Sequence, residues 1–476
     1  MKFTAKSLVL LALFSVLSIF TQAQVSNFQH VIIIVQENRS PDNLFQGLCG
    51  PRGQFCPFPY NLQNFGIDNF GQLVPLQQVR LGSPYDPNHN HSSFDQMCHL
   101  DTTTNRCRMD GLSSKGCASG QCSFQYVKAS DVAPYLTLAQ QYGWANFMFQ
   151  TNQGPSAPAH QFIFGGTSAP SAAGDDTATF ISENPSGLGC LAPLNAVYNL
   201  ISPLTAPKEG LLINNPLGTV CFTRNTMATL LETHSPQLSW KYYTPGTNSI
   251  WTAPNWIKEI CHPDATFTQC TGAEWTDHVQ VKPANVLTDI GACHLRNVVW
   301  VIPTGQNSDH PEPGGVSVGG PSWVASIVNK VGQSQCIDQV DGRTLTYWQD
   351  TAIIITWDDW GGWYDHEPPT LLSVPQRGQG DYQYGFRVPL VVVSAYTPKG
   401  YIDNQRHDFG SILRFVEHNF GIVEGSLNFA DQRATTDLQG FFNFNHASRP
   451  FNRIAAPVGE EFFLNDQRPM DPPDTD

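Results

Sequence analysis

Residues 352–369, Ala-Ile-Ile-Ile-Thr-Trp-Asp-Asp-Trp-Gly-Gly-Trp-Tyr-Asp-His-Glu-Pro-Pro, decide the reading of this chain. The stretch opens with the apolar, β-branched run Ala352–Thr356, too short for a helix and bounded by turn residues. That is the pattern of a strand buried on both faces of a parallel sheet. It ends in Asp358 and Asp359, then a Gly361-Gly362 turn, then a second polar pair, Asp365-His366. In open α/β sheets, ligands bind in the crevice beyond the carboxyl ends of strands. Acids and a histidine placed there, among Trp357, Trp360 and Trp363, predict a functional site.

A second strand of the same kind is predicted at His30–Val35. It delivers Glu37 and Asn38 at its carboxyl end, before the turn cluster Pro41-Asp42-Asn43. One such pair is an ordinary strand end; two matching strands point to a shared site. A third run, Val298–Ile302, leads to Asn307-Ser308-Asp309-His310-Pro311. Ser322–Val331 reads as an amphipathic helix returning the chain to the Asp358 strand, as in a βαβ crossover. Farther on, Arg387–Ser394 reads as a strand. Phe409–Phe420 reads as an amphipathic helix stopped by Gly421, with His407 just ahead of it.

The remaining features set the class of protein. Residues 1–23 have the layout of a signal peptide, with Lys2 and Lys6, an apolar core from Leu8 to Phe20, and Thr21-Gln22-Ala23 at the cleavage site. That core is too short for a stable anchor and no later run has transmembrane length, so no transmembrane anchor and a secreted or periplasmic destination are expected. Twelve cysteines fit an oxidising compartment. Local spacing groups Cys49 with Cys56, Cys98 with Cys107, Cys117 with Cys122 and Cys261 with Cys270, while Cys190, Cys221, Cys293 and Cys336 stay unassigned. A net charge of −14 disfavours nucleic acid and anionic membranes as partners. With 35 prolines, 39 glycines and 14% charged residues, the composition is that of a loop-rich globular chain. Loop insertions are expected at about 49–125 and 170–290, and a disordered tail at 470–476.

Three further groups matter. His89 and His91, two apart in a turn, can converge on one ligand. Asp131–Tyr142 is helix-like, with Pro134 in its first turn below an Asp131 cap. Ser156 sits in Gly154-Pro155-Ser156-Ala157-Pro158, ahead of the helix-like run His160–Phe164. A hydroxyl at a helix N-terminus has backbone N–H groups nearby to hold phosphoryl oxygens, although a serine there also serves as a plain helix cap.

Together, Glu37, Asn38, Asp358 and Asp359 offer hard oxygen donors suited to one divalent cation, such as Ca²⁺ or Zn²⁺. The ordered blocks Glu37–Phe45, Gly154–His160, Ser308–Pro311, Asp358–Pro369 and Phe386–Tyr396 resemble the phosphoesterase family of bacterial phospholipases C and secreted acid phosphatases, within the alkaline-phosphatase-like superfamily. The resemblance implies a three-layer α/β/α sandwich with a mostly parallel central sheet and long disulfide-stapled loops, as one catalytic domain over 24–469. It implies Glu37, Asn38, Asp358 and Asp359 as metal ligands and Ser156 as nucleophile. His89, His91, His310 and His366 would handle protons and charge, and Asp309, Asp365, His160 and His407 would line the substrate. The chain departs from the family at Ala157-Pro158-Ala159-His160, where many members carry Asn-Pro-Asn-Arg, and at Asp359-Trp360, where Glu-His is common. The expected activity is hydrolysis of a small-molecule or phospholipid phosphate ester through a phosphoserine, phospholipase C-like. Broad acid phosphatase is the alternative; sulfatase-like chemistry and a non-catalytic carbohydrate-binding module stand further behind.

Overall fold

The apolar run His30–Gln36 (β1) forms a strand in which all but His30 are buried, and the run Thr351–Trp357 (β6) is buried throughout. They lie side by side and parallel, in a register from His30↔Thr351 to Gln36↔Trp357. Burial on both faces explains why neither run alternates polar and apolar residues. The computed structural model describes residues 27–470 apart from 50–55, 57–58, 83–84, 105, 113–121, 171–179, 183–188, 193–195, 202–210, 215–220, 312–318, 338–343 and 374–380. The expected signal peptide, the tail from 471 and Cys117 lie outside the described residues.

Six more strands complete the sheet: Gly143–Met148 (β2), Trp240–Thr244 (β3), Val279–Val281 (β4), Val298–Val301 (β5), Leu390–Val393 (β7) and Tyr401–His407 (β8). Their order is β4-β3-β5-β1-β6-β7-β2-β8. All pairings are parallel except those of β7, which runs antiparallel to both β6 and β2. The carboxyl ends of seven strands therefore share one edge of the sheet with the amino end of β7. That single reversal brings Arg387, just ahead of β7, to the functional edge.

The stretch 170–290, expected as loop insertion, supplies β3 and β4. Their sequences, Trp-Lys-Tyr-Tyr-Thr and Val-Gln-Val, carry polar residues that break the continuous apolar run; β4 is the border strand and β3 lies between it and β5. Helices cover both faces. Ala133–Gln141 (α1) and Gly319–Gly332 (α3) pack together with Asn285–Gly291 and Glu460–Leu464; Ser156–Gly165 (α2) packs with Met227–Thr233 and with Phe409–Phe420 (α4). The chain is a three-layer α/β/α sandwich. Among the described residues no helix is long and apolar enough to cross a membrane.

Helix α4 has the expected bounds. Asp408 caps it, accepting from the Ser411 N–H at 3.1 Å while Ser411 Oγ accepts from the Asp408 N–H, and Gly421 ends it in the left-handed region. Asp131 does not cap α1; its carboxylate accepts from Arg80 and from the Leu81 N–H. Disulfides join Cys49–Cys56, Cys98–Cys107 and Cys261–Cys270 as the spacing predicts, and also Cys190–Cys221 and Cys293–Cys336.

After β6 the chain turns sharply at Gly361, whose φ is +63°. A Cβ there would come within 2.1 Å of the Asn38 carbonyl oxygen, so the turn presses directly on the end of β1. Gly71 has a similar φ of +72° but open space around it. Gly71→Ala should cost about 1 kcal/mol, the backbone penalty alone. Gly361→Ala should cost more than about 3 kcal/mol, because the Asn38 backbone must also move. Urea denaturation of the two variants beside wild type measures the difference.

Candidate metal and nucleophile site

Because β1 and β6 are adjacent and in register, the residues that follow them emerge together, although they stand 320 positions apart in sequence. Asp358 Oδ1 accepts from the Asn38 N–H at 3.0 Å and the Asp359 N–H at 2.7 Å. Asp359 Oδ1 accepts from the Gly361 N–H at 2.6 Å. Asn38 takes a left-handed conformation, φ +61°, which turns its side chain within this corner. Glu37, Asn38, Asp358 and Asp359 are all fully buried.

Ser156 is the first residue of α2 rather than its cap; Pro155 holds the cap position with no side-chain bond. Its hydroxyl donates to Asp359 Oδ2 at 3.3 Å. His160, one helical turn on and so on the same face, brings Nε2 to 3.4 Å from Glu37 Oε1 and 3.8 Å from Asp358 Oδ2. Glu37, His160 and Asp358 thus offer three donor atoms within 4.8 Å of one another, all buried.

His89 completes the corner. Its Nδ1 lies 2.9 Å from the Pro87 carbonyl oxygen, which can only accept, so Nδ1 carries the proton. Nε2 is then an acceptor and takes a hydrogen bond from Asn38 Nδ2 at 2.9 Å. That bond orients the Asn38 amide, leaving Oδ1 buried with no hydrogen-bond partner; Asp358 Oδ2 is likewise buried without one. Burying such oxygens unpaired is costly. Two of them beside Glu37 fit a divalent cation, so this chain's donor set suits the metal that the sequence predicts.

The other predicted residues have partners of their own. Asp365 accepts a two-pronged ion pair from Arg387, Nε at 2.7 Å and Nη2 at 2.9 Å. His366 is bound between Asp42 Oδ2, 2.7 Å from Nδ1, and Asn61 Oδ1, 2.9 Å from Nε2. The expected substrate-facing edge is therefore a buried ion network of Asp42, Asp365, His366 and Arg387. His91 faces Gln153 Oε1 at 3.2 Å rather than converging with His89, because it begins a separate helix, His91–Cys98. His407, on β8, contacts Asp403 and the Thr436 hydroxyl. Asp309 accepts from Trp357 Nε1 at 3.0 Å, and its backbone oxygen accepts from Arg39 Nε at 2.8 Å. Burial pushes the Asp309 carboxyl up to about 6 against the pull of Arg39. His310 directs Nδ1 to the Pro311 carbonyl at 3.0 Å, with Nε2 4.0 Å from Asp86.

Asp42, Arg39 and Arg387 were not legible as partners in the sequence. The signal for Arg387 is positional, since only the reversed direction of β7 brings it to this edge.

A phosphoesterase family model matches residues 28–423. The chain belongs to the phosphoesterase family. It is 24% identical over 469 residues to a non-hemolytic phospholipase C of Pseudomonas aeruginosa, and 24% identical over 471 residues to a hemolytic phospholipase C of the same organism. These alignments cover 90% and 89% of the chain but 59% and 57% of the relatives, so the chain spans somewhat over half the length of the relatives it matches. A solved protein of the alkaline phosphatase superfamily from Vibrio parahaemolyticus is similar over 61% of the chain and 60% of its own, at 12% identity and a TM-score of 0.33. The matched family segment includes both carboxylate-bearing strand ends and α2.

In the ion network, burial works against the charged His366, but the charge and hydrogen bond of Asp42 outweigh it and raise the imidazole above 6.5. Burial likewise works to raise Asp42, yet His366 and then Arg387 hold it below 3.8. A raised histidine stabilises fully below its unfolded value and loses that contribution as pH climbs through its folded value. A depressed aspartate contributes above its unfolded value and loses it as pH falls. Hence wild type should exceed His366→Gln in stability by on the order of 2 kcal/mol near pH 5.5. The gap should shrink steadily toward pH 9, as read from urea midpoints across that range.

Proposed function

We propose that the chain is a metal-dependent phosphoesterase that works through a covalent intermediate on Ser156. The observation that carries this reading is the Ser156 hydroxyl, bonded to Asp359 at a helix N-terminus and beside a buried, oxygen-rich donor set. Glu37, Asn38 Oδ1, Asp358 and Asp359 would hold the ion. A divalent cation supplies charge neutralisation for phosphoryl oxygens and eases ionisation of a nearby hydroxyl.

The protein's own groups have separable tasks. Asp359 Oδ2 accepts the hydrogen bond of the Ser156 hydroxyl and so receives its proton as Oγ attacks phosphorus. Oγ–P forms as the ester P–O bond breaks, and the leaving alkoxide takes a proton. His310 is the histidine proposed for that role, with Nδ1 on the Pro311 carbonyl and Nε2 4.0 Å from Asp86. The first-turn N–H groups of α2 favour the anionic phosphoryl oxygens. Water then attacks the phosphoserine, releasing phosphate or a phosphomonoester and restoring Oγ–H.

The two Pseudomonas aeruginosa relatives, which align over most of the chain, are both named phospholipase C, which supports a phospholipid or related phosphodiester as substrate. The disulfides support an oxidising destination, secreted or periplasmic.

Ser156→Ala should lower turnover of p-nitrophenyl phosphate and of p-nitrophenylphosphorylcholine by at least about 10³-fold, with an unchanged melting temperature. Retention of either activity would remove Ser156 as the nucleophile. In wild type, phosphatidylcholine should be cleaved to diacylglycerol faster than p-nitrophenyl phosphate is hydrolysed. The reverse order would favour a broad acid phosphatase.

A further inference from the structure

We infer that His160 is a nitrogen ligand of this metal site, so that the site selects a transition metal of the zinc type over calcium or magnesium. The inference rests on the metal-dependent reading above and deepens it. Ser156 and His160 are four residues apart on α2, so one helical face carries both the nucleophile and an imidazole toward the strand ends. His160 Nε2 is fully buried between carboxylates from two strands, 3.4 Å from Glu37 Oε1 and 3.8 Å from Asp358 Oδ2.

These separations distinguish two explanations. An imidazolium held by a carboxylate closes to about 2.7–2.9 Å. Two donors sharing a tetrahedral ion at zinc bond lengths stand about 3.3–3.5 Å apart. The 3.4 Å contact matches the shared ion, and the 3.8 Å contact is too long for a direct charge-assisted hydrogen bond. The charge balance agrees. Glu37, Asp358 and Asp359 place three carboxylates in one buried corner. Among the described residues the fully buried arginines are Arg39 and Arg387, and both are directed elsewhere, Arg39 to Asn43 and the Asp309 and Leu81 carbonyls and Arg387 to Asp365.

An oxygen-only set suits calcium or magnesium, whereas imidazole among carboxylates suits zinc, iron or a similar ion.

The test measures binding, not turnover. Metal-free wild type and His160→Asn are titrated with Zn²⁺ and with Ca²⁺ by calorimetry, and folding of each is checked by circular dichroism. Wild type should prefer Zn²⁺. The variant should bind Zn²⁺ more than about 100-fold more weakly, beyond what loss of an outer partner costs, with its Ca²⁺ affinity within about threefold of wild type. X-ray absorption of the Zn²⁺-loaded wild type should show imidazole scattering that weakens in the variant, and the wild-type spectrum decides the matter if the variant does not fold. An oxygen-only shell, or equal Zn²⁺ affinity in the variant, overturns the role of His160 while leaving the metal site standing. Absence of binding of either ion to wild type overturns the metal-dependent reading as well.

Discussion

Three carboxylates forced into one buried corner are the constraint on which the rest of this structure depends. Glu37 follows β1, Asp358 and Asp359 follow β6, and the parallel register of those strands leaves them no room to separate. Two like charges about 4 Å apart repel by roughly 4 kcal/mol even at an effective dielectric constant of 20. Backbone N–H groups answer part of this: Asp358 accepts two and Asp359 one. The answer is incomplete, because Asp358 Oδ2 and Asn38 Oδ1 remain buried without hydrogen-bond partners. The donor set of this corner suits a cation.

The surrounding elements hold that strain in place. Gly361 lets the chain fold back against the Asn38 carbonyl, and the loop carrying His89 fixes which end of the Asn38 amide faces inward. Helix α2 supplies the opposite wall as a rigid unit. Its far end is anchored where Gly166 packs against Leu427 and its carbonyl accepts from the Ala430 N–H at 3.1 Å. Ser156 and His160 are therefore placed by a braced helix, which is the positioning that the nucleophile proposed at Ser156 requires.

Legibility in the sequence followed burial and continuity. The runs at His30–Val35 and Ala352–Thr356 announced interior strands, and their polar ends announced the corner, because hydrophobic pattern and strand direction suffice for that inference. Helix α4 was legible to the residue through its amphipathic run and Gly421. Strands β3 and β4 were hidden because their polar residues interrupt the apolar run. Asp365 and His366 looked like part of the corner because they follow it closely in sequence. The Gly361-Gly362 turn carries the chain away, and their partners Asp42 and Arg387 come from other segments. No local pattern reports such a pairing, since it depends on the antiparallel insertion of β7.

That pairing explains how the edge of the sheet can hold so many acids at once. The chain spends its buried arginine charge on the outer carboxylates: Arg387 on Asp365 and, at 3.7 Å, on Asp42. A guanidinium at Glu37 or Asp358 would satisfy those oxygens permanently, and its fixed, bulky charge would exclude an ion. Histidine is the cationic side chain that can stand there without that consequence, because neutral imidazole offers a lone pair. A histidine at position 160 therefore need not weaken the corner. In the proposed mechanism it is a donor that can share the ion, leaving the phosphoryl oxygens to the helix N-terminus and the metal.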